Sequence, residues 1–310
     1  MTYLPELLVT PTAVEDIAPL YEAGADAVLV GEQTYGLRLA GDFDRAQLEE
    51  VVNIGKNYAK KVYVKVNALF HNDYIDQLYD YLCYLNELNV DAIVFGDPAV
   101  LVAAREVAPG LKLHWNPETT ATNWYTANYW GRKGAERAVL SREINFDAIT
   151  EIADHAEVET EVQVHGATCM FQSKRKLVGN YMAFQGKQLE VEKTDQSRNL
   201  FLHDPERNAA YPIFEDANGT HIISAKDICI IDELDELLDA EVSSMKIEGL
   251  LKSSQYVIEA TKLYHEAIHL YLNDPARYNE KREELLNKAK TLQPEARDID
   301  TGFFFKETVY

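Results

Sequence analysis

The residues best suited to chemistry lie close together in the stretch 161–182, EVQVHGATCMFQSKRKLVGNYM. It opens as an alternating strand, with Val162 and Val164 on one face and Gln163 on the other. It then delivers His165, Gly166 and Cys169 at its carboxyl end, where sites gather in α/β proteins. A nearby imidazole lowers a thiol's pKa, so His165 and Cys169 are a candidate thiolate pair for nucleophilic attack. Residues four apart at a strand end need not touch, however. Lys174, Arg175 and Lys176 follow at once, the densest basic cluster of the chain, suited to a phosphate or another anion. No other nucleophile–base set is visible. Ser141 and Ser173 lack a G-x-S-x-G context, and no H-E-x-x-H offers a zinc site.

Strand–helix units of about 20–35 residues must position this stretch. The spacing predicts strands over 4–9, 27–30, 61–67, 92–95, 111–115, 137–140, 158–165 and 244–247, with helices between them. Thr12 and Glu15 suggest a capping box for the first helix. Buried apolar strands in such alternation imply parallel pairing. About eight of them point to an α/β fold of TIM-like (β/α)8 barrel type, whose usual length is ~250 residues. The remaining length is assigned to an irregular insertion after strand 7, over 170–224, and to extra C-terminal helices. The domain reading is therefore a barrel over 1–272 and a helical extension and tail over 273–310. A doubly wound open sheet is the alternative, but the first βα turn carries no G-x-G-x-x-G.

Other candidates sit at strand ends. Lys246 and Glu248 alternate along one strand, so they point to the same side and would pair if that side is the lumen. Arg142 and Glu143 face opposite ways, and one of them should face the pocket mouth. His114, Trp115 and Asn116 open a polar and aromatic stretch running to Asn123. It reads equally as a binding loop or as a helix entry capped by Thr122 or Asn123. Asn67, Gly96-Asp97 and Glu32 read as caps or turns. Cys83, inside an apolar helical stripe, reads as a core thiol. The run 280–284 reads as a solvated helix face.

Composition bounds the partners. The chain has 310 residues and a net charge of −21, which argues against a broad nucleic-acid footprint but leaves room for a local basic patch. Three cysteines make no disulfide framework. No apolar run reaches the ~18 residues of a membrane span, and the first ten residues lack signal-peptide features. The expected location is the cytoplasm.

Four stretches carry a family resemblance: GADAVLVG at 24–31, RAVLSRE at 137–143, VHGATCMFQSKRKLVGNYM at 164–182 and SMKIEGLLKSSQYV at 244–257. They resemble the collagenase-like peptidase family, the unassigned-mechanism peptidase family 32. The resemblance reaches from near the N-terminus to the C-terminal helix and implies a barrel. Better-understood relatives modify rather than cut. They resemble tRNA wobble-uridine hydroxylation factors, with prephenate implicated, or quinone hydroxylation proteins, and they hold an iron–sulfur cluster on four cysteines. Carried onto this chain, the first ligand position is Cys169, the second is Lys176, the third falls in the cysteine-free loop 186–198, and the last is Cys229. Four thiolates are the usual requirement, so no stable cluster or other metal is expected in this chain alone. Leu250 stands where the family commonly has Arg.

The resemblance thus implies a subunit for 5-hydroxyuridine formation in tRNA, working with a larger, cluster-bearing paralogue. A peptidase and a non-catalytic scaffold are the alternatives. Candidate catalytic residues are His165, Cys169, Glu143 and Glu248. Candidate substrate-binding residues are Arg142, Lys174, Arg175, Lys176, Lys246, His114 and Asn116. The expected partners are that paralogue and, through the complex, tRNA, with no membrane.

Overall fold

Short apolar strands with both faces buried, each followed by an amphipathic helix, close on themselves. The structure is a computed structural model that describes residues 3–187, 200–294 and 297–307. In chain order, the strands up to the insertion are β1 (Glu6–Val9), β2 (Ala27–Val30), β3 (Lys61–Val66), β4 (Ala92–Phe95), β5 (Leu113–Trp115), β6 (Arg137–Val139) and β7 (Glu159–Gly166). The insertion carries β8 (Cys169–Ser173), β9 (Phe201–Asp204), β10 (Ala209–Asp216) and β11 (Gly219–Ile223). After it come β12 (Asp227–Cys229), β13 (Ser244–Glu248) and β14 (Ile299–Asp300). The strands β1 to β7 run parallel in sequence order, and β13 pairs in parallel with both β7 and β1. That double pairing closes an eight-stranded parallel barrel, as the strand–helix alternation predicts.

The helices are α1 (Ile17–Glu22), α2 (Arg45–Tyr58), α3 (Ile75–Leu88), α4 (Pro98–Val107), α5 (Trp124–Arg132), α6 (Phe146–His155), α7 (Leu177–Phe184), α8 (Leu234–Asp239), α9 (Ser254–Asn273) and α10 (Pro275–Leu292). Leu48, Val51 and Val52 of α2 and Leu78, Leu82 and Leu85 of α3 fill the layer between helices and strands. Each such side chain stabilises the fold by roughly 1.5–3 kcal/mol. Side-chain caps from Asp44, Asp97, Asn123, Asn145 and Ser253 start α2, α4, α5, α6 and α9, each contributing about 1 kcal/mol.

Several local expectations are corrected. Asp16, not a Thr12–Glu15 box, orders the start of α1: its carboxylate accepts from Thr12 N, Thr12 Oγ1 and Ala13 N. The insertion is not irregular among its described residues, because β8, β11, β10 and β9 form an antiparallel sheet in that order. Cys83 is half-buried rather than a core thiol, since Tyr81, Leu82 and Leu85 take the inward face of α3. Within 280–284, Arg282 reaches Glu233 and Asp235 and ties α10 to α8. The tail folds back, and Phe304 packs on Phe146 at 4.7 Å between ring centroids.

Candidate site at the barrel mouth

Alternation along the strands sends every second side chain into the lumen, and the lumen is layered. Its apolar girdle is Leu8, Ala27, Leu29, Tyr63, Ala92 and Val94. At the amino-terminal end, Arg137 binds Glu6 at 2.7 Å and Glu161 at 3.4 Å, and Tyr63 donates to Glu6. At the carboxyl end β3 contributes Lys65, β13 contributes Lys246 and Glu248, and β1 hands over to Thr10. Glu248 accepts from Thr10 Oγ1 at 2.7 Å and from Leu250 N at 3.2 Å. The Lys246 and Lys65 ammonium groups lie 3.5 and 3.8 Å from the same carboxylate. The expected Lys246–Glu248 pair is therefore present, buried and lumen-facing, and Lys65 shares it.

A second group is brought in by loops. Arg38, buried, donates from Nη1 to Gln172 Oε1 at 3.0 Å and pairs with Glu118 at 2.5 Å. Arg142 pairs with the other oxygen of Glu118 at 2.9 Å and reaches the Cys169 carbonyl at 3.5 Å. Asn67 joins the loops by accepting from Leu37 N and donating to Glu118. Arg38 and Glu118 both hold positive φ, 50° and 66°, in the left-handed region that non-glycine residues occupy only at a cost. Asn116 accepts from Glu118 N at 3.0 Å and so builds that turn.

Four cations thus converge on two carboxylates. Burial drives the Lys65 ammonium down to about 8, against the pull of Glu248. Burial alone would raise Glu118 and Glu248. Arg38 and Arg142 hold the first at about 2, and Lys65 and Lys246 hold the second at about 2. Both carboxylates are ionised at neutral pH, and positive charge remains in excess. Gln163, lumen-facing and buried, leaves its Oε1 unpartnered. An anionic group entering the mouth would complete this charge balance.

The His165–Cys169 pair does not form. Between β7 and β13 the register slips, so Gln163 faces Lys246 while His165 faces Ile247. The slip turns His165 into the helix layer, where its ring nitrogens meet Tyr256 Oη at 2.6 Å and Tyr264 Oη at 3.3 Å. Burial lowers it to about 4, so it is neutral. Burial also pushes the Cys169 thiol up, opposed by Arg38 and Arg142. Its Sγ contacts the Phe171 carbonyl rather than an imidazole.

The other expected residues scatter. His114 sits lower in the lumen, against Tyr63 at 4.7 Å between ring centroids. Burial and Arg137 bring it down to about 3, so it is no part of a mouth loop. Glu143 is exposed, and of the 142–143 pair it is Arg142 that faces the mouth. Lys174, Arg175 and Lys176 lie exposed on the turn from β8 to α7, outside the lumen. Asp97 and Asn67 act as cap and turn builder, as expected, and Asn123, whose stretch was left open between binding loop and helix entry, caps its helix.

The residues present do not fit a four-thiolate cluster. Cys229 is buried in the helix layer, beside Tyr264 Oη at 3.6 Å, and burial pushes its thiol up to about 11. Cys169 belongs instead to the Arg38–Arg142–Glu118 surroundings. Lys176 occupies the second position, and most of the third lies outside the described residues. No group of three or more His, Cys, Asp or Glu with metal-binding geometry occurs among the described residues.

Sequence reasoning missed Arg38, Lys65 and Thr10, and covered Glu118 only as part of the 114–123 stretch. Lys65 had a signal: it is a lysine at the lumen phase of KVYVKV, whose last five residues are all buried. Arg38 had none, because a loop places it.

Residues 12–309 match the model of peptidase family U32. The chain is 60% identical over 306 residues to tRNA hydroxylation protein P2 of Bacillus subtilis, covering 99% of both. It is 31% identical to tRNA hydroxylation protein P1 of the same organism, covering 98% of this chain and 72% of that protein. It is 28% identical to tRNA hydroxylation protein P of Escherichia coli, covering 86% and 68%. Among solved structures, the U32 peptidase Mk0906 superposes with a TM-score of 0.50 at 16% identity, covering 80% of this chain and 94% of that one.

Proposed function

The chain belongs to peptidase family U32, and on that premise we propose that it is a subunit of a tRNA-hydroxylating system that forms 5-hydroxyuridine at the wobble position. The observation that carries the reading is end-to-end likeness, at 60% identity, to a tRNA hydroxylation protein. The site supports it in two ways. The mouth has no thiolate–imidazole pair, which speaks against cysteine-peptidase chemistry. Its excess of Arg38, Lys65, Arg142 and Lys246 over Glu118 and Glu248 suits an anionic group, either a small-molecule carboxylate or a phosphate of the RNA.

The chain acts in the cytoplasm with a longer paralogue. The occurrence of P1 and P2 relatives in one organism supports such a pairing. The iron–sulfur cluster belongs to that paralogue, since the thiol positions here do not fit one. In this arrangement the present chain binds and orients, and redox chemistry is supplied by the partner.

The test is deletion of the gene in its own organism, followed by mass-spectrometric measurement of 5-hydroxyuridine in tRNA. The expected result is a loss that the wild-type gene restores and Lys65→Met does not. An unchanged level in the deletion strain sinks the reading. Native mass measurement of the tagged chain purified from the same cells is expected to give a heteromer with the longer paralogue.

A further inference from the structure

The insertion presents a surface that the mouth does not use. Over residues 169–187 the chain has Lys174, Arg175, Lys176 and Lys187 and no aspartate or glutamate, in a protein with 51 acidic residues. All four cations are exposed. Beside them α7 buries none of its residues. Leu177, Tyr181 and Phe184, 40%, 59% and 86% exposed, share one face at spacings of four and three. Phe171, on the adjoining strand β8, is 46% exposed. This face is tied to the barrel mouth, because Arg142 reaches the Cys169 carbonyl and Arg38 holds Gln172.

We propose that α7 and the 174–176 run form a platform for single-stranded RNA, with bases stacking on Phe171, Tyr181 and Phe184 and phosphates meeting Lys174, Arg175 and Lys176. The inference rests on the reading that the chain works on tRNA, and it assigns the surface that presents the RNA to the mouth. An apolar stripe alone would suit a groove on a protein. The charge decides between the two: lysine is depleted in protein interfaces, whereas a cluster of cations releases the counterions of a polyanion. Aromatic faces accept any base, so stacking needs no sequence readout.

The experiment is fluorescence anisotropy of the full chain with a labelled hairpin RNA whose loop is unpaired and uridine-containing, beside a blunt duplex of the same length. The hairpin binds more tightly. Phe184→Ala and Tyr181→Ala each weaken it by about tenfold. Replacing Lys174, Arg175 and Lys176 together by alanine lowers the slope of log affinity against log salt by about 2. Tyr181 and Phe184 are exposed, so their variants keep the wild-type melting temperature, and the melting temperature of the triple variant is measured alongside its binding. The proposal is overturned if the wild-type chain does not bind the hairpin at low salt, or if all the variants bind it equally well. It is also overturned if Phe184→Ala leaves RNA binding intact and instead abolishes association with another protein chain, which would make the face a protein-docking surface. Unchanged 5-hydroxyuridine on gene deletion would remove the functional reading and leave the anisotropy result standing, so the two fail separately.

Discussion

At the scale of residues, Glu248 is the pivot of the mouth, because two buried ammonium groups depend on one carboxylate. Removing the carboxylate takes the ion-pair partner from both, leaving Lys65 its hydrogen bond to the Arg38 carbonyl and the more distant charge of Glu118. Glu248→Gln is therefore expected to cost about 3–5 kcal/mol in urea unfolding. Lys246→Met leaves Glu248 paired with Lys65 and hydrogen-bonded to Thr10, so no buried charge loses its last partner and the cost should be clearly smaller than that of Glu248→Gln. Equal costs would contradict the shared-carboxylate picture. Lys65 titrates near 8, so anion binding at the mouth should weaken as pH rises through that value. Sulfate is a suitable probe because its charge is constant there. It should raise the melting temperature of the wild type at pH 7 by more than at pH 9, and this difference should vanish in Lys65→Met. The cysteines allow a separate check. Cys229 should resist alkylation until the protein unfolds, and Cys169, raised by burial, should react more slowly than a free thiol.

At the scale of elements, the junction of β7 and β13 does two jobs. It closes the barrel, and its slipped register sends His165 to the helices while Gln163 stays in the lumen. Gly166 makes this possible. Its φ is +100°, and a Cβ there would lie 2.3 Å from the Glu248 carbonyl oxygen. Gly166→Ala is expected to cost about 1–3 kcal/mol from backbone strain alone, with the overlap adding to it. Faster hydrogen exchange should be concentrated in β7 and β13, and uniform exchange would contradict this account. Element types and most boundaries were legible from period and caps, as for β2, β4 and α5. The slip was not, because a period of two assumes unbroken register. The sheet of the insertion was also missed: its strands pair antiparallel across intervening loops, and their alternation is weak.

At the scale of the whole molecule, buried titratable groups set the response to acid. His165 has a folded pKa near 4, below its ordinary 6.5. The unfolded chain takes up that proton first, so stability falls as pH drops from about 6.5 to 4, by on the order of 2–3 kcal/mol. Glu118 and Glu248 are held near 2. Their contribution is present above about 4.5 and is lost as pH falls from there towards 2. Denaturant unfolding across this range should show both stages. His114, held at about 3, contributes to the first as well, so His165→Gln should make the first shallower without abolishing it, while leaving the second. A stability that stays level from pH 6.5 to 4 in the wild type would refute the buried neutral imidazole.

The sequence by itself determined the strand–helix alternation, the barrel class, the family resemblance and that Lys246 and Glu248 share one side of their strand, because these depend on periodicity and composition over short spans; that this side is the lumen was decided by the fold. The resemblance also implied that Lys176 stands at a position where the family has a cysteine. Tertiary structure alone decided which groups share the mouth. Arg38, Lys65, Glu118 and Arg142 come from four separate segments, and only barrel closure and two left-handed loop residues bring their charges within a few ångströms. It also separated His165 from Cys169, because one step of register directs one side chain to the helices and leaves the other at the mouth.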